Sequence, residues 1–129
     1  MKEIPDFQSL QTTFPDIRLA VLFGSVAQSR ATLDSDIDFA VKLCQPLTLL
    51  QRTAMIEEIT LITGRPVDLI DLHTVGQPLL NQIVTTGIKV MGTEEEMAKL
   101  MLQNVIANAD FVPLQERMLK ERLDAWISN

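Results

Sequence analysis

The most restrictive feature of this sequence is the triplet Asp36-Ile37-Asp38, which follows the dipeptide Gly24-Ser25 after ten intervening residues. Apolar residues before the dipeptide and within and after the triplet predict two strands, residues 17–23 and 36–43. Side chains alternate along a strand, so Asp36 and Asp38 point to the same side. Two like charges on one side repel each other unless a cation lies between them. The spacing therefore predicts an oxygen-ligand site for Mg²⁺.

The Gly24-Ser25 dipeptide predicts a phosphate site beside the two aspartates. A glycine after an apolar strand lets the backbone approach a ligand closely, and exposed N–H groups in such a turn bind anions. The hydroxyl of Ser25 adds a donor. Phosphates held there would lie beside the metal site, an arrangement suited to the transfer of part of a nucleoside triphosphate. Further candidates for phosphate contacts are Arg30, between the two motifs, and Lys42, further along the strand of Asp38.

A third carboxylate is expected from the segment Pro66-Val67-Asp68-Leu69-Ile70-Asp71-Leu72. Its composition predicts a strand over residues 67–72 with two candidate acids. Because Asp68 and Asp71 are three positions apart, they face opposite sides of that strand, and only one of them can join the first two aspartates. The other acid ends the strand or caps the segment after it.

Length and pattern predict one compact domain over residues 1–129. An apolar content of 47% is enough for a hydrophobic core. Helix and strand alternate, which indicates an α/β (α+β) fold with a small mixed sheet, helices on one face and the Asp36–Asp38 face open as a cleft. Besides the three strands above, the periodicity predicts helices near residues 7–14, 47–62 and 78–84 and a strand at 88–91. The catalytic core takes up about residues 15–92.

Charge and cysteine content exclude several classes of protein. A net charge of −6 argues against a protein that binds nucleic acid stably over many phosphates, since that requires a basic face. The single cysteine, Cys44, cannot form an internal disulfide. The first residues lack the apolar core of a signal peptide, and no apolar run approaches the length of a membrane span. These features predict a cytoplasmic protein that does not enter a membrane.

The last part of the chain, about residues 93–129, predicts a pair of helices. Thr93 and Glu96 form a capping-box pattern, in which the hydroxyl accepts the Glu96 N–H and the Glu96 carboxylate reaches back. Pro113 is expected to begin the second helix, which carries apolar residues up to Trp126. Two interpretations remain open: both helices cover the core of their own domain, or part of this methionine-rich surface docks a partner chain.

The motifs resemble those of the minimal nucleotidyltransferases, the smallest members of the DNA polymerase beta-like nucleotidyltransferase superfamily. That superfamily has an apolar strand, Gly-Ser or Gly-Gly, about ten residues and then Asp-x-Asp. Its minimal members commonly read Gly-Ser-x-Ala-Arg-Gly and then Ser-Asp-Ile-Asp. Here the two stretches are Gly24-Ser25-Val26-Ala27-Gln28-Ser29 and Ser35-Asp36-Ile37-Asp38, so Gln28 and Ser29 replace the usual Arg-Gly and remove a candidate phosphate-facing cation.

The resemblance implies a nucleotidyltransferase fold and a role for each acid. Asp36 and Asp38 would bind two Mg²⁺ ions. Asp68 matches the third acid of the family by its Val-Asp-Leu context; it would bind one ion and favour deprotonation of the incoming hydroxyl. Asp71 is then the acid that ends the strand. The nucleotide-binding residues implied by the resemblance are Gly24, Ser25 and Ser35.

The same resemblance implies transfer of AMP from ATP to a hydroxyl of a partner protein. Many minimal nucleotidyltransferases are antitoxins encoded beside HEPN-domain ribonuclease toxins, so the expected partner is a HEPN toxin from the adjacent gene. One alternative is a non-catalytic antitoxin that acts by binding alone. Another is a small-molecule nucleotidyltransferase similar to those that modify aminoglycosides, although such enzymes generally carry extra sequence to hold the antibiotic.

Overall fold

The structure is a computed structural model and describes residues 4–27 and 35–128. Its helices and strands agree with the sequence-based expectation in kind and order up to the last strand, with one short added helix after the first strand. They are α1 (Gln8–Thr13), β1 (Leu19–Phe23), α2 (Gly24–Ala27), β2 (Ile37–Lys42), α3 (Leu49–Thr63), β3 (Val67–Asp71), α4 (Leu79–Thr86), β4 (Ile88–Gly92) and α5 (Glu94–Ser128).

The four strands form one mixed sheet in the order β3-β2-β1-β4. β1 pairs antiparallel with both β2 and β4, whereas β2 and β3 are parallel. The end of β1 therefore lies beside the start of β2, and the start of β3 lies on the other side of β2. This topology brings the end of β1 and the starts of β2 and β3 together at one end of the sheet.

β1 is buried along its whole length, which requires cover on both faces of the sheet. On one face, α1 and α3 pack against β2 through Leu10, Met55, Ile59 and Phe39. On the other face, α4 and α5 pack against β1 and Ala40 through a second buried set, Leu19, Val21, Phe23, Leu80, Ile83 and Leu100.

The fold class is as expected, but the helices do not lie on one face alone. The expectation followed β2, whose alternating pattern leaves a polar side at Asp38. β1 reads Leu-Ala-Val-Leu-Phe without alternation, and its second apolar side is covered by α4 and α5. The polar part of that face is therefore confined to the end of the sheet where β2 and β3 begin, at Asp38 and Asp68.

The helix before β3 has well-defined ends. Thr48 caps α3 in a reciprocal capping box with Gln51: the Gln51 N–H donates to the Thr48 hydroxyl at 3.1 Å, and the Thr48 N–H donates to the Gln51 side chain at 2.9 Å. Gly64 ends the helix with a left-handed backbone, φ +69°. Arg65 and Pro66 then lead directly into β3, so the end of α3 sets where that strand starts.

The C-terminal region is one helix rather than the expected pair. α5 runs for 35 residues with Pro113 inside it. A proline removes one helical hydrogen bond and crowds the preceding turn, at a cost of about 3 kcal/mol, yet the helix continues through it into a segment of good helix-forming residues. Leucine, glutamate, lysine and arginine predominate after Pro113. No described helix, α5 included, combines the length and apolarity needed to cross a membrane.

The first part of α5 is fixed to the domain and the rest is exposed. Asn104 is buried and forms a polar network with α4 and the loop before it: Gln77 Nε2 donates to Asn104 Oδ1 at 2.7 Å, and Asn104 Nδ2 donates to Asn81 Oδ1 at 3.0 Å. In contrast, every side chain from residue 112 to residue 127 is exposed. Residues 108–127 are called the outer part of α5 below.

Candidate active site

Strand register brings Gly24, Asp38 and Asp68 side by side. Phe23, the last residue of β1, lies opposite Asp38 in the antiparallel pair. Asp38 in turn lies opposite Asp68 in the parallel pair. Adjacent residues of paired strands project to the same face, so the Asp38 and Asp68 side chains share one face of the sheet. Asp36, two residues before Asp38 and just outside β2, belongs to the same side of the chain.

The central carboxylate, Asp38, is affected by its burial and by the other two acids. Asp38 is half-buried, while Asp36 and Asp68 are exposed. Burial raises the pKa of Asp38 above its ordinary value, and the neighbouring charges of Asp68 and Asp36 raise it further. A carboxyl group whose pKa is raised by two other acids identifies the place where a cation would be favourable.

The donor set fits Mg²⁺, although the acids are not closed around a common point. Across residues 4–27 and 35–128, no group of three or more His, Cys, Asp or Glu side chains is already arranged as a metal site. Asp36 and Asp68 are exposed, so their side chains have room to turn toward a cation. Three hard oxygen donors on one face are the chemistry that Mg²⁺ requires. Asp36, Asp38 and Asp68 are thus the residues that would hold it.

Gly24 is required for Asp38 to occupy its place. Its backbone is left-handed, φ +76°, a conformation that glycine adopts without strain. A Cβ at this position would overlap Asp38 Oδ2 and would lie 2.9 Å from Asp38 Cγ. The sequence interpretation assigned this glycine to close approach of a ligand; the structure shows that it also makes room for the central acid.

The remaining predicted nucleotide-binding residues are close to this point in the chain. Ser25 is half-buried in α2, a four-residue helix in the place where a simple turn was expected. Ser35 immediately precedes Asp36, and its carbonyl oxygen accepts a hydrogen bond from Arg65 Nη1 at 3.1 Å. Arg30, the candidate phosphate contact between the motifs, lies outside the described residues.

Asp71 has a structural role at the end of β3. It is only 5% exposed and lies three positions from Asp68, on the opposite face of the strand. Its carboxylate accepts the Leu47 N–H at 2.8 Å and the His73 N–H at 2.9 Å. Asp71 therefore caps the segment after the strand, as expected of the acid that does not join the first two. His73 Nε2 is 2.7 Å from the Leu43 carbonyl oxygen, a contact within the same loop region.

Lys42 is engaged in an ion pair at the far end of β2. Its Nζ is 3.4 Å from Glu96 Oε2, and Glu96 Oε1 is also 3.8 Å from Arg18 and 3.5 Å from Lys99. The Glu96 N–H does donate to the Thr93 hydroxyl at 3.1 Å, as the capping pattern predicted. The Glu96 carboxylate, however, binds these cations instead of reaching back to Thr93, because they lie beside it. Lys42 thus ties α5 to the sheet.

Sequence reasoning missed Arg65. The Gly-Arg-Pro stretch before β3 has the composition of an ordinary turn, so the sequence marks the arginine only weakly. The contact with Ser35 depends on the parallel pairing of β2 and β3, which brings the residues before both strands together. The available signal was a positively charged residue between Gly64, which ends the helix, and the strand that carries Asp68.

Comparison with known proteins agrees with this geometry. The family model of polymerase beta nucleotidyltransferases matches residues 7–96, which include all of the described site. A curated relative, the protein adenylyltransferase MntA of Shewanella oneidensis, is 32% identical over 87 residues. The aligned part covers 67% of this chain and 63% of that protein, so this chain spans somewhat less than two thirds of its length.

Solved structures share the fold over nearly the whole chain. A toxin–antitoxin structure with AMP-PNP superimposes with a TM-score of 0.80 at 24% identity, covering 91% of this chain and 94% of that one. A complex of a tri-AMPylated Shewanella oneidensis HEPN toxin with an MNT antitoxin gives a TM-score of 0.74 at 22% identity, covering 91% and 92%. At this identity the likeness establishes the fold. Together with the family match, it shows that the chain belongs to the polymerase beta nucleotidyltransferase family.

Proposed function

We propose that this protein is a Mg²⁺-dependent protein adenylyltransferase that moves AMP from ATP to a hydroxyl group of a partner protein. The observation that carries the proposal is the position of Asp38 among the other groups of the site. Asp68 lies opposite it in the paired strand, Asp36 precedes it by two residues, and Gly24 lies against its carboxylate because it has no side chain. The relative that is named a protein adenylyltransferase supports the reaction type.

In the proposed reaction the acceptor oxygen attacks the α-phosphorus of ATP. A new O–P bond forms, the bond from the α-phosphorus to the bridging oxygen breaks, and pyrophosphate leaves with the electron pair. The acceptor proton passes to Asp68 or to solvent. When bound, Mg²⁺ neutralises charge on the triphosphate and on the attacking and leaving oxygens.

The protein's own residues supply alignment for this reaction. Asp36 and Asp38 would hold the cation that binds the triphosphate. Asp68, on the neighbouring strand, lies where it can orient the incoming hydroxyl. Gly24, Ser25 and Ser35 are assigned to the nucleotide. Because β2 and β3 are paired, the backbone keeps Asp38 and Asp68 side by side, and alignment of this kind is a main source of rate in phosphoryl-type transfer.

The proposed partner is a HEPN toxin, with this protein as its antitoxin. The related complex of an MNT antitoxin with a tri-AMPylated HEPN toxin supports this assignment. So does the outer part of α5, where large apolar side chains such as Leu119 (59% exposed), Leu123 (51%) and Trp126 (79%) are available to another protein. We place the reaction in the cytoplasm, where ATP is supplied and the exposed thiol of Cys44 stays reduced.

Incubation with Mg²⁺-ATP and the product of the adjacent gene tests this function. We expect intact-mass spectrometry to show the partner heavier by multiples of AMP. The same mixture with Asp38→Asn should leave the partner unmodified, while Glu57→Gln, a change of an exposed acid on α3, away from the outer part of α5, should not affect transfer. An unmodified partner in the presence of the unaltered protein would contradict the proposal.

A second candidate function is neutralisation by binding alone. The observation that favours it is the exposed apolar surface of the outer part of α5. If the partner binds tightly and its activity is suppressed without any gain of mass, masking of the toxin is the function. Suppression that requires both Mg²⁺ and ATP supports transfer instead.

A further inference from the structure

Of the three acids, Asp36 is the one that the sheet does not hold directly. β2 begins at Ile37, and its pairing with β3 begins at Ile37 and Val67. Asp38 and Asp68 are fixed opposite each other within this ladder. Asp36 precedes it, so the backbone at Asp36 needs another constraint to keep its carboxylate near the other two.

Two hydrogen bonds to the segment before β3 bracket Asp36. On its C-terminal side, the Ile37 N–H donates to the Pro66 carbonyl oxygen at 2.8 Å. On its N-terminal side, Arg65 Nη1 donates to the Ser35 carbonyl oxygen at 3.1 Å. Arg65 and Pro66 are consecutive, so one short segment holds both neighbours of Asp36.

We infer that Arg65 is a positioning residue for the metal site: by binding the Ser35 carbonyl, it fixes Asp36 relative to Asp68. This inference rests on the proposed function only in so far as the three acids bind a divalent cation. The guanidinium group suits the task because it stays charged at all relevant pH values and presents donors in a planar fork. Half-buried at the end of α3, its side chain is also restricted in the directions it can take.

Arg52 provides a matched control. It is another half-buried arginine, and its Nη1 donates to a backbone carbonyl of β3, that of Leu69, at 2.7 Å. This contact braces β3 against α3 and does not involve the segment that contains Ser35 and Asp36. Both contacts join a guanidinium donor to a backbone carbonyl, but only the contact of Arg65 holds the backbone before Asp36.

The test measures Mn²⁺ binding by the electron paramagnetic resonance signal of the free ion, with no ATP and no partner present. We expect Arg65→Gln to raise the Kd for Mn²⁺ roughly 10-fold, the size usual for residues that orient metal ligands. Arg65→Lys, which keeps a charged donor, should recover most of the affinity. Arg52→Gln should lower the melting temperature while leaving the Kd within about 2-fold of the unaltered protein.

A double-mutant cycle shows whether Arg65 acts through Asp36. In an Asp36→Asn background, Arg65→Gln should cause no further loss of Mn²⁺ affinity, because the ligand that it positions is already gone. Should Arg65→Gln fail to fold, Arg65→Met takes its place, since it keeps the aliphatic packing and removes the donor.

The failures are distinguishable from one another. If the unaltered protein does not bind Mn²⁺, the metal site of the proposed function is refuted. If the unaltered protein binds Mn²⁺ and Asp36→Asn weakens it, but the folded Arg65 variant binds as tightly as the unaltered protein, the positioning role of Arg65 alone is refuted. Equal losses from Arg65→Gln in the native and Asp36→Asn backgrounds would refute it as well.

Discussion

Polar and apolar side chains lie in opposite surroundings in two regions of this molecule. At the site end of the sheet, the charged side chain of Asp38 is half-buried between two neighbouring strands. On the outer part of α5, large apolar side chains are exposed, Trp126 to 79%. In the first region the fold accepts an unfavourable charge in a fixed place. In the second it leaves apolar surface uncovered. Each is costly for a protein that acts alone.

The difference shows that two parts of this small domain depend on different interactions. The site residues depend on strand pairing, which sets their relative positions through the backbone. The outer part of α5 depends only on helical hydrogen bonds within itself, so its side chains can change with little effect on the domain. We therefore expect substitutions at the site end to alter catalysis or folding, and substitutions on the outer part of α5 to alter partner binding.

The largest effect expected concerns the two acids of β3. Asp68→Asn should lower AMP transfer by about 10²- to 10⁴-fold, because the carboxylate that accepts or steers the proton is lost, while stability is nearly unchanged. Asp71→Asn should leave transfer per folded molecule largely intact and destabilise the protein by about 1–2 kcal/mol, because one of its two buried N–H partners loses its acceptor.

Transfer assays and urea denaturation on the same two variants separate these effects. The comparison is informative because the acids occupy one strand and differ in the face that they project from. If Asp71→Asn abolished transfer at full folding and Asp68→Asn did not, the metal site would lie on the opposite face of β3.

Two leucines on α5 make the contrast between its inner and outer parts measurable. Leu100 is 2% exposed and packs among the buried residues of α4 and β1, whereas Leu119 is 59% exposed. Leu100→Ala should cost about 2–5 kcal/mol of unfolding free energy through lost burial and a residual cavity. Leu119→Ala should change it by less than about 0.5 kcal/mol and weaken partner binding.

Denaturation midpoints and titration of the partner provide the two readouts. A stability loss from Leu119→Ala comparable to that from Leu100→Ala would mean that the outer part of α5 packs on its own domain in solution. The interpretation of this surface as a docking site would then be wrong.

Much of the site end could be predicted from sequence because its information is local. Alternation within β2 identifies the shared side of Asp36 and Asp38, and the three-residue offset separates Asp68 from Asp71. Those rules depend only on strand geometry. They show that only one acid of β3 can join Asp36 and Asp38, while the choice of Asp68 over Asp71 came from the resemblance to the family.

The parts that were not predicted depend on contacts between distant segments. The prediction of helices on one face followed the alternation in β2, and it was wrong because α4 and α5 cover the second face of β1. Pro113 is a helix breaker by local rules, yet α5 continues through it. The contact of Arg65 with Ser35 requires the parallel register of β2 and β3, which no local pattern specifies.

A smaller effect is expected from two glycines that share a left-handed backbone. Gly24 and Gly64 have φ values of +76° and +69°. Alanine at Gly64 has open space for its Cβ, so the change should cost only the backbone strain of about 1–2 kcal/mol. Alanine at Gly24 adds an overlap with the Asp38 carboxylate, and the displaced acid should lower transfer by up to about 10²-fold.

Melting temperature and transfer rate together distinguish strain from misplacement. We expect both variants to melt at lower temperature, and only Gly24→Ala to lose activity when corrected for the folded fraction. Equal activity in the two variants would show that Asp38 can move aside without consequence, and that the tight contact at Gly24 is not part of the site.

The smallest effect expected is on stability in the absence of metal, and it depends on pH. The pKa of Asp38 is raised in the folded protein, first by burial and then by Asp68 and Asp36. The folded state therefore holds the proton more tightly than the unfolded chain, so ionised Asp38 destabilises the fold above its folded-state pKa. This penalty disappears as the pH falls below the unfolded pKa of about 3.9.

Metal-free Asp38→Asn should consequently be at least as stable as the unaltered protein at pH 7, with an advantage below about 1 kcal/mol that shrinks as the pH is lowered. Millimolar Mg²⁺ should reverse the order, because only the unaltered protein gains binding energy in the folded state. Asp124→Asn, which removes an exposed acid from the outer part of α5, controls for the change in net charge. Thermal melts with chelator and with Mg²⁺ measure the stability difference without metal and the stabilisation that the metal adds. A metal-free Asp38→Asn variant that is clearly less stable than the unaltered protein at pH 7 would contradict the prediction. The half-buried carboxylate would then be held by favourable contacts within the protein rather than by a cation.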